Sequence, residues 1–335
     1  MTEVRVDLCF TKEKICEMRI TGTGRVHPST IVTNAMLEKF LDTNDEWIKT
    51  RTGMSERRVI SSERLEDMAA EASLKAIEDA GLTPADIDYI ICSNVVNEYI
   101  TPGLSCIIQG AIGARCACVD VNAACSGFVY ALDMADDRLR SGKAQHILVV
   151  AAEEPTRMVD WSDRSTCVLF GDGAGAVVVS QGEGLLCSRL TTQSKVDCLH
   201  YVRTLEPTPY ITKEEYNAPM YMNGKEVFKT AVLSSSRDIK TLLSRAGLKA
   251  TDIKYYVLHQ ANMRIIEAIA NWLKLDMSYF PHNVDYCGNT SSASIPLLLD
   301  ELSRSGKLLK GDKILMSAFG AGFTTGACII EWTKE

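Results

Sequence analysis

The chain repeats itself. AGLTPADIDYIICSN (80–94) recurs as AGLKATDIKYYVLHQ (246–260), with Ala, Gly, Leu, Asp, Ile and Tyr in register at an offset of 166 residues. RSGK stands at 140–143 and again at 304–307, each copy ahead of an apolar run, HILVVAAE and DKILMSAF. FGDGAGAVVV (170–179) is echoed by FGAGFTTGACII (319–330). Three echoes in the same order point to a duplicated chain, with loops that differ in length between the copies.

Each copy reads alike. A helical stretch (LEDMAAEASLKAIEDAG; SSRDIKTLLSRAG) ends at a Gly suited to the position just past a helix. An apolar run follows (IDYIICSNV; IKYYVLH), then another helix and further strands. Buried runs alternating with helices predict an α/β protein with sheets covered on both faces. Two such halves, 1–185 and 186–335, packed through their helices give an α–β–α–β–α body of five layers. The least repeated stretch, about 185–225, is polar and carries Pro207, Pro209 and Pro219. It reads as the connection between the halves and a surface excursion.

Composition removes several functions. The net charge of −7 argues against a broad nucleic-acid surface. No apolar run approaches the ~20 residues that span a bilayer. The first twenty residues are broken by charges and contain no signal-peptide core, so a cytoplasmic protein is expected. Of twelve cysteines, only Cys116 and Cys118 are close in sequence, without the spacing of a zinc site. No metal is expected, and most of the cysteines read as small buried hydrophobes.

Cys125 has a different setting. In ACVDVNAACSGFVYALDMADDRLRSGK (117–143), a short strand runs into Asn122-Ala-Ala-Cys125-Ser-Gly127 and a helix begins. Free N–H groups and the positive end of a helix dipole at such a junction favour thiolate, so a nucleophile here is activated without an adjacent base. A buried cysteine in an Ala-rich turn fits this segment equally well. At the offset of 166, Cys125 falls on Ser291 of CGNTSSASIP, so the same turn is expected in the second half. The carboxyl edges of both sheets then meet at one crevice. His259 after an apolar strand, Gly288-Asn289-Thr290 and the Phe319–Gly322 turn reach it from the second half. A lone His at a strand end is more often structural, and the motif context has to decide. Gly171–Gly175 lacks the Lys of a phosphate loop and reads as a tight turn.

VNAACSGFVYAL, LHQANMRII, GNTSSAS and FGAGF together resemble the β-ketoacyl-ACP synthase III family, as do TNDEWIKTRTGMSERR, DRSTCVLFGDGAGA and NGKEVFKTAV. The likeness runs in order from about residue 20 to 332. It implies the thiolase-like fold, a homodimer, and acyl transfer with acyl-CoA and malonyl-acyl carrier protein as substrates and no cofactor. By the same resemblance Cys125 is the nucleophile, with His259 and Asn289 as donors to the enolate formed when malonyl-ACP loses CO₂. Backbone N–H groups of Cys125 and Ala321 form the oxyanion hole; many relatives have Gly at the latter position. Trp47 and Arg164 sandwich the adenine of CoA, Arg51 meets its phosphates, Asn262 its pantetheine arm, and Arg264 docks the carrier protein. Thr101 stands where some relatives place Phe to shorten the acyl pocket. A relative of specialised metabolism, using malonyl-CoA or another β-ketoacid, shares all these motifs. A thiolase is disfavoured because its second catalytic Cys is missing. An acyl-binding protein without turnover conflicts with an intact Cys125, His259 and Asn289. Residues 1–15 extend beyond the resemblance and receive no role.

Overall fold

A computed structural model describes residues 5–6, 18–202, 209 and 219–334. The rest of the N-terminal extension, with Cys9 and Cys16, and Pro207 lie outside the described residues.

Two five-stranded sheets dominate. Strand order across the first is Met18–Val26, Gly173–Gln181, His146–Glu153, Tyr89–Ser93, Ala117–Val121. Its last three strands run parallel to one another, and the other pairings are antiparallel. The second sheet has the order Arg5–Val6, Leu185–Thr192, Thr324–Glu331, Lys313–Gly320, Tyr255–Leu258. Here too a parallel pair, Tyr255–Leu258 with Lys313–Gly320, is followed by antiparallel ones. The apolar runs make this possible: HILVVAAE is buried from Ile147 to Glu153 and KILMSAFG from Ile314 to Gly320, as central strands with covered faces must be.

The helices make three layers. Gly127–Arg140 and Ser294–Arg304 lie between the sheets, Leu65–Asp79 and Leu104–Ile112 cover the outside of the first, and Gly224–Ala246 covers the second. Each layer has its own apolar core. Phe128, Leu132, Leu297 and Ile314 belong to the middle one, Ala72, Ile90 and Leu148 to one outer layer, Leu242, Tyr256 and Ile329 to the other. The expected helix ends hold. Gly81 and Gly247 adopt the left-handed backbone just past their helices, where a Cβ would be strained.

The stretch 185–225 corrects the sequence reading. Leu185–Thr192 is an inner strand of the second sheet, not a connection. Its polar residues misled because they are buried with partners: Arg189 pairs with Asp238 at 2.9 Å, and Thr191 meets Thr325, which also bonds Asp238. Beyond it, Leu199–His200 and Tyr221–Met222 form a small antiparallel ribbon that walls a cavity.

The echo between the halves is also one residue out of step at the key turn. The short 3₁₀ turn Ala124–Ser126 is matched by Ser291–Ala293, so the counterpart of Cys125 is Ser292, not Ser291. The Tyr255 strand keeps the original offset, and the intervening loop absorbs the extra residue.

Candidate active site

Both sheets send the carboxyl ends of their strands toward one cavity of about 1250 Å³. Cys125, His259 and Asn289 all line it. They come from three different segments.

Cys125 follows the strand Ala117–Val121 and precedes the helix Gly127–Arg140. Asn122 Oδ1 accepts the Ala124 N–H at 3.1 Å and holds Ala124 at φ 48°. A non-glycine residue there costs on the order of 1 kcal/mol, a strain typical of functional turns. Ser126 Oγ and Thr324 Oγ1 are 2.8 Å apart, and Thr324 donates to the Ala123 carbonyl, which ties the turn to the second half. Gly320 lies against the Cys125 N–H: a Cβ on Gly320 would come within 2.6 Å of the Cys125 nitrogen. Ala321 follows and also lines the cavity.

The expected lowering of the thiol is not found. Cys125 is half-buried beside the cavity, and desolvation pushes its thiol up to about 12 against the opposing pull of the Ser291 hydrogen bond. A helix start alone does not offset the desolvation of this cysteine.

His259 ends the strand Tyr255–Leu258. Burial pushes its imidazole down to about 3, so it is neutral in any ordinary buffer. Ser294 Oγ accepts the Gln260 N–H at 3.3 Å and stands 2.8 Å from His259 Nδ1. With the Ser294 proton given to Nδ1, the ring hydrogen is on Nε2. Phe319 packs edge-on to the ring at 5.2 Å. Asn289 is held by its backbone, which bonds Leu169 and Gly171, and by Oδ1, which accepts the Ser291 N–H at 2.9 Å. Its amide NH₂ is the group left for a ligand. The cavity thus has two neutral hydrogen-bond donors near one thiol.

The cavity mouth gathers Trp47, Arg51, Arg164, Asn262 and Arg264. Arg51 and Arg164 lie over the Trp47 ring at 4.4 and 5.0 Å. Arg164 also bonds Asp42, and at this spacing no further ring fits between it and the indole. Asn262 caps the helix Met263–Leu273 through its Oδ1 and donates to the Arg51 carbonyl, so it joins the two sides of the mouth. Arg264 lies over Phe228 at 5.6 Å. Thr101 is the exception among the expected residues: it is exposed and not part of the cavity wall of the single chain. Among the described residues no cluster of His, Cys, Asp or Glu could hold a metal, and no helix is long and apolar enough to cross a membrane.

Sequence reasoning missed Glu153. It ends the apolar strand HILVVAAE, is 1% exposed, and accepts hydrogen bonds from Ser292 Oγ at 2.6 Å, Ser291 Oγ at 3.2 Å and the Val95 N–H at 3.1 Å. A carboxylate closing a fully apolar strand was the available signal. Ser294, 2.8 Å from His259 Nδ1, gave none.

Known proteins resemble this chain over nearly its whole length. Residues 119–194 match the family described as 3-oxoacyl-[acyl-carrier-protein (ACP)] synthase III, and residues 243–332 match its C-terminal part. The β-ketoacyl-[acyl-carrier-protein] synthase III of Clostridium acetobutylicum is 43% identical, over 95% of this chain and 99% of the relative. That of Xanthomonas campestris pv. campestris is 44% identical, over 94% and 98%. The crystal structure of 3-oxoacyl-[acyl-carrier-protein] synthase III from Aquifex aeolicus superposes with a TM-score of 0.88 at 41% identity, covering 94% of this chain and all of that one. The priming β-ketosynthase of the R1128 polyketide pathway superposes at 0.87 with 35% identity, over 96% and 99%.

Proposed function

Because the chain belongs to the β-ketoacyl-ACP synthase III family, with its thiolase-like fold, we propose that it condenses an acyl-CoA primer with malonyl-ACP and releases a 3-oxoacyl-ACP, the opening step of fatty-acid synthesis. The observation that carries this is one thiol, one neutral imidazole and one carboxamide around a single cavity. In the first half-reaction Cys125 attacks the thioester of acyl-CoA and CoA leaves. The backbone N–H groups of Cys125 and Ala321 hold the oxyanion of the tetrahedral intermediate. Malonyl-ACP then enters and loses CO₂. Negative charge develops on its thioester oxygen, and His259 Nε2–H and the Asn289 amide stabilise it as the enolate forms. The enolate carbon attacks acyl-Cys125 and the sulfur departs. A neutral His259 suits this role, since an electrophile that stays uncharged keeps its donor over a wide pH range.

Trp47 and Arg164 open to stack on the adenine of CoA, Arg51 meets the phosphates and Asn262 the pantetheine arm. Arg264 at the mouth receives the acidic carrier. The residues 1–185 bear the nucleophile and 186–335 the two donors. Thr101 is exposed on the single chain, and its place in the acyl pocket would require a second copy in the homodimer that the family implies; the compartment is the cytoplasm. No resident cofactor enters these steps. The test is the mass added to Cys125 by a panel of acyl-CoAs; a protein that takes no acyl group there does not perform this reaction. The likeness to the R1128 priming β-ketosynthase supports a second reading, a condensing enzyme of specialised metabolism, for which malonyl-CoA or another β-ketoacid would be the extender. A condensation rate indifferent to replacing malonyl-ACP by malonyl-CoA favours it.

A further inference from the structure

Ser291 Oγ stands between two groups and can give its single hydrogen to only one of them. It lies 3.4 Å from Cys125 Sγ and 3.2 Å from Glu153 Oε1. Glu153 is otherwise held in place: Ser292 Oγ, itself bonded by Ser93 at 2.8 Å, donates to the same oxygen, and the Val95 N–H binds the other. Two thiols interact with it electrostatically, Cys92 from the adjacent strand and Cys125 from the facing turn. The second-half turn and Val95 present only hydroxyls and N–H groups.

We propose that Ser291 and Glu153 form a proton relay that accepts the Cys125 thiol proton during acyl loading. At rest the S–H donates to Ser291 Oγ, and Ser291 donates to the Glu153 carboxylate. As Cys125 Sγ bonds the thioester carbon, its proton moves to Ser291 Oγ and the Ser291 proton moves to Glu153 Oε1. The tetrahedral oxyanion collapses, the bond to the CoA sulfur breaks, and the proton parked on Glu153 ends on that departing thiolate. Atoms and charge balance without a further reactant. Burial pushes Glu153 up to about 7, which places the acceptor near the working pH of a general base. Ser291 touches the reacting sulfur; Glu153 acts through it as a positioning and proton-holding residue.

The proposal rests on Cys125 being the acyl nucleophile. The experiment measures single-turnover transfer from acetyl-CoA or butyryl-CoA to Cys125, by peptide mass, between pH 5.5 and 9, together with CO₂ release from malonyl-ACP. Wild type should load on a curve that rises to a plateau above about pH 7. Glu153→Gln and Ser291→Ala should each load ~10²-fold more slowly at pH 7, with a rate that keeps climbing with pH. The double variant should be no slower than either single one, Ser291→Thr should recover the plateau, and CO₂ release should persist in all. A Glu153→Gln protein with the wild-type profile overturns the relay. Multiplying losses, or equal loss of loading and CO₂ release, does so too. If Glu153→Gln fails to fold, the Ser291→Ala and Ser291→Thr pair decides by the same plateau. A wild-type protein left unlabelled at Cys125 overturns the nucleophile assignment and the relay with it; a labelled wild type with unaffected variants overturns the relay alone.

Discussion

The two turns Asn122–Gly127 and Asn289–Ser294 have the same backbone and opposite chemistry. In each, an Asn side chain accepts the N–H two residues on, and the residue so held has a left-handed φ, 48° at Ala124 and 51° at Ser291. In the first half the next residue is Cys125, and Gly320 from the facing strand leaves its N–H uncrowded. In the second half the next residue is Ser292, and Glu153, which ends the strand equivalent to the one ending at Gly320, fills that space and takes its hydroxyl. A duplicated scaffold supplies two equivalent strained corners. One is left open to the cavity and the other is closed around a carboxylate. His259 and Ser93 stand at matching strand ends and differ in the same sense: Ser93 bonds the closed corner, while His259 faces the cavity.

Substitutions at matched positions separate the corners. Cys125→Ala has the largest effect. Acyl loading falls below detection, at least ~10⁴-fold, yet CO₂ release from malonyl-ACP remains, because the donors proposed for the enolate are intact. Radiolabel retained on the protein and labelled CO₂ report the two activities separately. His259→Ala inverts the pattern, with CO₂ release down ~10²–10³-fold and loading reduced far less. The decarboxylation profile of wild type should also show no limb near pH 6.5, since the imidazole is already neutral there.

Asn289→Ala and Asn122→Ala remove the same turn-holding bond. Only the first removes a donor proposed for the enolate. We expect ~10²-fold loss of CO₂ release for Asn289→Ala and less than ~10-fold for Asn122→Ala. Equal losses would mean that both asparagines act only on the backbone.

Glu153→Gln should trade activity for stability. The folded carboxyl titrates at about 7, above the ordinary 4.5, so folding favours its neutral form. Its stability contribution is complete below pH 4.5 and is lost as pH rises through 7. The Gln variant should therefore be more stable than wild type at pH 8, by at most about 3 kcal/mol, and similar at pH 4.5. Urea titrations at the two pH values check the sign. The smallest effect belongs to the mouth. Arg264→Glu should raise KM for malonyl-ACP by roughly 3–10-fold and leave malonyl-CoA turnover unchanged, a rim charge that steers a partner without taking part in chemistry.

Much of this protein is written in local patterns. Apolar runs of strand length, helices closed by Gly81 and Gly247, and echoes such as AGLTPADIDY and AGLKATDIKY determine two α/β halves before any coordinate is known. The motifs around Cys125, His259 and Asn289 determine the family. Three things were not legible. Leu185–Thr192 reads as a loop because Arg189 and Thr191 look solvated, and only their pairing with Asp238 and Thr325 makes them core. The pairing of Cys125 with Ser292 depends on one residue of loop length, which a repeat with uneven gaps does not resolve. The protonation of the site depends on desolvation and on what lies across the crevice. Sequence fixes which groups can titrate; distances such as 3.4 Å from Ser291 to Cys125 and 3.2 Å from Ser291 to Glu153 decide which of them exchange a proton. Those distances join residues more than a hundred positions apart, so no local pattern contains them, and only the packing of the two halves sets them.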